Sequence, residues 1–381
     1  MVDVAADNPP LDFYDLEACQ WDETLAGWGW PKFRAQQVRD WAYLRMSRDP
    51  LAFSNLSKSD RDTLAKRVRF GGGEIVSHQI SEDGTQKLLL GWPGAGNAQA
   101  ETVMIPDGDR RTACVSSQVG CPVGCTFCAS GMEGVKGNLT AGQIVEQVMA
   151  LNQGLSAGSR PALPGERPPT ESAGSQAAQR ITNVVFMGMG EPLANYANVM
   201  RAVRILHEPK GLNIGARRIT ISTVGVPKRI RDLAGEDLPL NLAISLHAPN
   251  ETLRRQLIPW AEHFSMSDIL DAARFYFEKT GREITFEYIL LSDVNDRPEH
   301  AQQLVKVCRT LRANVNLLRY NEVPGLPHKR PQAEAVLQFQ EILRQGGVNA
   351  HVRKSRGRDI AAACGQLRRK ENERLVVLGA S

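Results

Sequence analysis

What this sequence lacks narrows its role before any motif is considered. It holds no run of 18 apolar residues, so no transmembrane helix is expected. Its start is acidic and has no apolar stretch, so a secretory signal is not expected either. Residues 1–30 contain no Lys or Arg, only the acids Asp3, Asp7, Asp12, Asp15, Glu17, Asp22 and Glu23. The formal net charge is +4, so once those seven negative charges are set aside the rest of the chain carries +11. A basic body behind an acidic leader points to a polyanionic partner; a merely soluble surface is the bland alternative. The 381 residues suit two domains, or one large barrel with an appendage, and leave ample chain for a core.

Among seven cysteines, Cys121, Cys125 and Cys128 stand in a CxxxCxxC spacing. A tetrahedral zinc site would want a fourth ligand at similar spacing, and none is near. Three thiolates within eight residues can wrap one face of a [4Fe–4S] cluster. One iron then stays open for a substrate-like molecule, and Phe127 can cover the cluster's edge. Reduced thiolates also suit a reducing cytoplasm. A loop of buried or zinc-binding cysteines is the alternative. The spacing, with an aromatic before the last cysteine, resembles the radical S-adenosylmethionine (SAM) superfamily, in which the open iron chelates the methionine end of SAM.

Residues 1–10 are expected to be disordered, and 11–70 show helical periodicity. Trp21, Leu25 and Trp28, then Phe33, Val38, Trp41 and Leu44, recur near helical spacing, with Pro31 as the break. Interleaved Arg34, Arg39, Arg45, Arg48, Lys58, Arg61, Lys66, Arg67 and Arg69 make a small helical domain with a basic side, either an RNA contact or a solvated face. Asp83-Gly84 and Asp107-Gly108 each divide two extended runs, the signature of hairpins. The second hairpin places Glu101 on a strand paired with the one bearing Cys114.

Strands are then expected over 111–117, 181–187, 217–222, 240–246, 283–290, 315–320 and 348–353. Helical patterns lie between them, among them 140–152 with Thr140 as a cap, 266–279 and 298–311. Repeated strand–helix units imply a parallel sheet under outer helices, here an α/β fold in the form of a partial (β/α) barrel. Three segments are expected: an N-terminal helical accessory domain with a hairpin over 1–100, the barrel over 101–354, and a basic C-terminal segment over 355–381. Residues 154–180, rich in Pro, Gly and Ser, are expected to form a disordered insertion on the face away from the chemistry.

Barrel active sites sit at the C-terminal ends of strands. The unusual residues fall there: the cysteine triad, then Gly188-Met189-Gly190-Glu191-Pro192, Ser222-Thr223, Ser245-Leu246-His247 and Asn321. The glycine-rich run resembles the superfamily's SAM-binding strand end, where glycines let backbone approach a ligand and Glu191 could accept from its ammonium group. Taken alone, His247 reads as a satisfied core histidine, and Cys308, beside Leu304 and Leu311, as core. Cys19 has no assignment.

Glu101-Thr-Val-Met-Ile-Pro106, the run from Cys114 to Cys121, Gly188 to Pro192, Ser245 to Asn250 and Ala362 to Leu367 together resemble the dual-specificity rRNA/tRNA adenine carbon-2 methyltransferase family. The likeness covers nearly the whole chain outside 154–180. It implies that Gly190, Glu191, Ser222, Ser245, Leu246, His247 and Asn321 bind SAM. It also implies two SAM per turnover. One methylates Cys364; the second is cleaved to a radical that takes hydrogen from that methyl group. The resulting carbon adds to adenine carbon-2, Glu101 removes the carbon-2 proton, and Cys114 forms a disulfide with Cys364 to release the RNA. The chemistry is coherent, because carbon-2 is electrophilic and cannot be methylated directly, whereas a thiolate is a good nucleophile for SAM. Implied partners are 23S rRNA, tRNA 3′ of the anticodon, and an electron donor such as flavodoxin or ferredoxin; a monomer is expected. Two other readings stay open. One is the related carbon-8 methyltransferase that confers antibiotic resistance. The other is a non-catalytic Fe–S protein that only binds RNA.

Overall fold

The computed structural model describes residues 9–156 and 180–367. The N-terminal body is built around aromatic side chains. Its elements are β1 (Leu11–Asp12), α1 (Ala18–Gly27), α2 (Lys32–Arg39), α3 (Lys58–Arg67) and β2 (Val68–Arg69), with β1 and β2 paired in parallel. Pro31 opens α2 and Ser57 caps α3, its side chain accepting from Asp60 N. Phe13 stacks on Phe70 at 4.9 Å and meets Trp21 edge-on at 5.1 Å.

A single ten-stranded sheet follows. Its antiparallel part is β3 (Glu74–Ile80), β4 (Gln86–Trp92), β5 (Ala98–Asp107) and β6 (Arg110–Cys114), joined through the two Asp-Gly turns. A short ribbon of β7 (Gln118–Gly120) and β8 (Val135–Asn138) stands apart from it. The parallel part then runs from β6 through β9 (Asn183–Phe186), β10 (Ile219–Thr223), β11 (Asn241–Ser245), β12 (Ile284–Leu290) and β13 (Ala313–Arg319) to β14 (Ala350–Arg353). The intervening helices are α4 (Ala141–Ser156), α5 (Tyr196–His207), α6 (Pro227–Ala234), α7 (Glu251–Leu257), α8 (Met266–Thr280), α9 (Pro298–Arg309) and α10 (Ala333–Gln345). Seven parallel strands in chain order, with helices between them, make the partial (β/α) barrel.

Some boundaries differ from expectation. The first barrel strand ends at Cys114, because Gln147 of α4 takes over the backbone of Ser116, accepting from its N at 2.8 Å and donating to its O at 2.9 Å. Thr140 and Gln143 form a reciprocal cap that starts α4. The hairpin β3–β4 is hydrogen-bonded into the barrel sheet, and residue 100 lies inside β5. The 154–180 stretch begins within α4, and residues 157–179 lie outside the described residues, as do 1–8 and 368–381. Among the described residues no helix is long and apolar enough to cross a membrane.

Candidate active site

The loop bearing the three cysteines leaves the barrel where β6 ends. The ribbon β7–β8 brackets it: Cys121 N donates to Gly134 O, and a Cβ on Gly120 would lie 2.0 Å from that same oxygen, so only glycine fits at its φ of +76°. Within the loop Cys128 N donates to Cys125 O at 3.1 Å, and Thr126 N to Leu257 O at 3.0 Å. Cys121, Cys125 and Cys128 are free thiols, half-buried against Val123, Phe127, Ala129, Val224 and Ile289. Three soft donors in a largely apolar shell fit an iron–sulfur cluster.

All three thiols line an open cleft of about 850 Å³, solvent at its mouth included. Gly190, Glu191, Ser222, Ser245, His247, Glu287 and Cys364 line it too. A second cavity of about 660 Å³ is lined by Cys114, Asn321, Arg353 and again Cys364. Cys364 therefore stands where the two spaces meet. Its loop is fastened to the cysteine loop: Ala129 N donates to Gly365 O at 2.8 Å, and Ser130 Oγ to Leu367 O at 2.6 Å.

Two expected residues line neither cavity. Leu246 is fully buried in the core, its N donating to Glu287 O. Glu101 lines neither cavity; it forms an ion pair with Lys87 on the sheet. The others have defined surroundings. Burial raises the Glu191 carboxyl to about 7 although its oxygens accept from Val224 N and Leu193 N. The Thr223 side chain is a third hydrogen-bond partner of this carboxylate. His247 sits at φ +56°, an uncommon conformation for a residue with a side chain. Its Nδ1 accepts from Ile289 N at 3.0 Å, which assigns the proton to Nε2, and burial pushes its pKa down to about 3. Ser222 and Ser245 face each other from adjacent strands, Oγ to Oγ 3.5 Å. Asn321 Oδ1 accepts from Arg330 at 2.8 Å.

Gly188 and Gly190 line the cleft and have a packing reason as well. A Cβ on Gly188 would lie 2.8 Å from the Val115 backbone, and one on Gly190 2.7 Å from the Gln118 and Ser117 side chains. These glycines let the β9 strand end pack against the segment leading to the cysteine loop.

Cys114 is buried, and desolvation, with Cys364 adding to it, pushes its thiol up to about 12; the Arg353 guanidinium opposes the shift. Burial also raises Cys364, again opposed by Arg353. Cys364 is exposed and lines both spaces. Arg353 and Glu287 were not singled out from the sequence. Glu287 Oε1 accepts from Asn316, while the buried Oε2 has Arg353 at 3.9 Å and no hydrogen bond among the described residues. A lone carboxylate inside the apolar run Ile284–Leu290 was the available signal.

A partial barrel with three cluster-type cysteines in the loop after its first parallel strand, lining an open cleft, defines the class of radical SAM enzymes. No family model matches the chain. A probable dual-specificity RNA methyltransferase RlmN of Dictyoglomus turgidum is 42% identical over 345 residues, 90% of this chain and 92% of the relative. One of the same name from Symbiobacterium thermophilum is 43% identical, covering 95% and 91%. A crystal structure of a radical SAM methyltransferase from Sphaerobacter thermophilus superposes with a TM-score of 0.86 at 43% identity, over 94% of this chain and 99% of that one. The chain belongs to the RlmN family of dual-specificity RNA methyltransferases. It is a radical SAM enzyme acting on RNA, and the cofactors of that class are SAM and a [4Fe–4S] cluster.

Proposed function

We propose that this enzyme methylates carbon-2 of adenine, in 23S rRNA and in tRNA next to the anticodon, by way of a methyl group carried on Cys364. The observation that supports this most is the place of Cys364 at the junction of two cavities, one holding the three cluster cysteines and the other holding Cys114. Cys121, Cys125 and Cys128 would hold the cluster, and Gly190, Glu191, Ser222, Ser245, His247 and Asn321 would hold SAM. When bound, these groups supply a methyl group and a hydrogen-abstracting radical, so that two SAM are used per turnover.

The chain's own residues do the rest. Cys364 Sγ accepts the methyl group and presents its carbon to the base. The resulting tether joins Cys364 Sγ to carbon-2 through one carbon. The radical adduct gives up one electron to the oxidised electron carrier, and Glu101 removes the carbon-2 proton. Cys114 Sγ, as thiolate, then bonds to Cys364 Sγ as the carbon–sulfur bond breaks with its electron pair on carbon, which takes up a proton to become the methyl group; an external thiol or reductase returns both cysteines to thiols. The adenine must leave its stack to reach so enclosed a site. The exposed arginines of the N-terminal body and the basic run from Arg353 to Arg358 supply the phosphate contacts. An electron donor such as flavodoxin or ferredoxin reduces the cluster.

Nucleoside mass spectrometry tests this reading. Anaerobically reconstituted enzyme with reductant, SAM and unmodified 23S rRNA or tRNA is expected to yield 2-methyladenosine. 8-Methyladenosine would keep the cysteine chemistry and overturn the regiochemistry. Neither product, from a preparation that cleaves SAM, would overturn the substrate.

A further inference from the structure

We propose that Lys87 is the positioning residue of the release step: one ammonium group holds both the Glu101 carboxylate and the loop that carries Cys364. This inference rests on the reading of Glu101 as the base. Lys87 Nζ lies 3.0 Å from Glu101 Oε1, with the side chains 9% and 11% exposed. The same Nζ donates to Ala361 O at 3.3 Å, and Ala361, Ala362 and Ala363 lead directly into Cys364. A lysine this enclosed is uncommon without such partners.

The sheet register brings these groups to one face. Lys87 pairs with Val103, Val103 with Cys114, and Leu89 with Glu101. Directly opposed residues project to the same side, as do residues two apart along a strand. Lys87, Glu101 and Cys114 therefore share a face of the sheet, and Lys87 and Glu101 are diagonal neighbours across β4 and β5.

The hairpin holds the same loop from outside. Ser81 Oγ donates to Asp359 Oδ1 at 2.6 Å, Glu82 N to Asp359 Oδ2 at 3.2 Å, and Gly357 N to Asp83 Oδ2 at 3.1 Å. A Cβ on Gly357 would come within 2.8 Å of Thr85, so loop and hairpin are in close contact. Ala361 takes φ +49°, a conformation that a residue with a Cβ keeps only when its surroundings impose it. The hairpin thus grips the Cys364 loop from its turn, and Lys87 ties that grip to Glu101. Because a small misplacement of a catalytic group is costly, loss of the ammonium should slow proton removal on the order of 10- to 100-fold.

The experiment separates the half-reactions in the reconstituted holoenzyme. Lys87→Met, Lys87→Arg, Glu101→Gln and Lys87→Met/Glu101→Gln are compared for Cys364 methylation by mass spectrometry and for decay of the covalent RNA adduct on denaturing gels. Because Ser81, Glu82 and Asp83 still fasten the loop to the hairpin, Lys87→Met is expected to methylate Cys364 within about twofold of wild type and to accumulate adduct, with release slowed on the order of 10- to 100-fold. Lys87→Arg should recover most of the release rate, and the double variant should release no more slowly than Glu101→Gln. Adduct that resolves at the wild-type rate in Lys87→Met, while Glu101→Gln accumulates it, would overturn the role of Lys87. A parallel loss of Cys364 methylation in Lys87→Met would also overturn it, in favour of a purely structural contact. If Glu101→Gln itself accumulates no adduct, Glu101 is not the base, and the role of Lys87 falls with that reading.

Discussion

At the scale of single residues, Cys364 and Cys114 illustrate how two identical side chains acquire separate tasks. Cys364 opens on the cluster cleft and on the second cavity; Cys114 reaches only the second. A methyl group placed on Cys364 can therefore meet the cofactor side, whereas Cys114 is shielded from it until a bond to Cys364 must be broken. Cys114→Ala is expected to trap the RNA on the protein after one event, seen as a band of higher mass on a denaturing gel under turnover conditions. Cys364→Ala should still cleave SAM, without RNA methylation. Free turnover by Cys114→Ala would mean that another thiol resolves the adduct, and methylation by Cys364→Ala would remove the carrier cysteine altogether.

At the scale of elements, Glu146 on α4 joins the barrel to the chain entering β3. Its carboxylate accepts from Gly73 N at 2.6 Å, Gly72 N at 3.3 Å and Trp92 Nε1 at 3.3 Å. Removing it strands buried donors, so Glu146→Ala should cost roughly 2–5 kcal/mol, measured by denaturant unfolding of the holoenzyme. Burial outweighs those hydrogen bonds and raises its pKa above the ordinary 4.5. A raised folded-state pKa means that stability from this group is fully present below pH 4.5 and is lost as pH rises through the raised value. Glu146→Gln, neutral throughout, should show a shallower fall in stability as pH rises from 4.5 to neutrality. An unchanged slope would assign that pH dependence to other groups.

Legibility also differs by element. Strands such as β4, β12 and β14 were readable because β-branched and apolar residues alternate or run together between turn signals. The ribbon β7–β8 was not, since three or four glycine-containing residues carry no period. The end of β6 was set by Gln147, a residue on a helix about thirty positions away, which no local pattern reveals. The cysteine triad, Glu191 and His247 were visible because strand ends gather chemistry in barrels. Lys87, Glu287 and Arg353 were not, because only the sheet register and the fold of the C-terminal loop bring them to the others.

At the scale of the whole molecule, the charge excess has to be divided between groups that build the fold and groups that face solvent. Many basic residues of the N-terminal body are occupied internally. Arg39 pairs with Asp22, Arg34 with Asp60 and Arg69 with Asp12, while Arg48 and Arg61 donate to the carbonyls of Gly73 and Leu51. Arg45, Lys66 and Arg67 are exposed, with Arg45 over the Trp41 ring at 4.3 Å and Arg67 over Trp28 at 5.3 Å. A guanidinium held flat against an indole keeps its charge and offers a stacking plane, which suits RNA. Every phosphate left without its cation should lower the slope of log K against log salt by about 0.7 to 0.9. The triple variant Arg45→Ala/Lys66→Ala/Arg67→Ala should therefore bind unmodified tRNA more weakly at low salt, with a slope smaller by about 2 to 3. Arg69→Ala, which breaks the pair with Asp12, serves as the contrast and should change stability more than the salt slope. A triple variant with the wild-type slope would show that this face is only solvated and would leave the RNA grip to the run from Arg353 to Arg358.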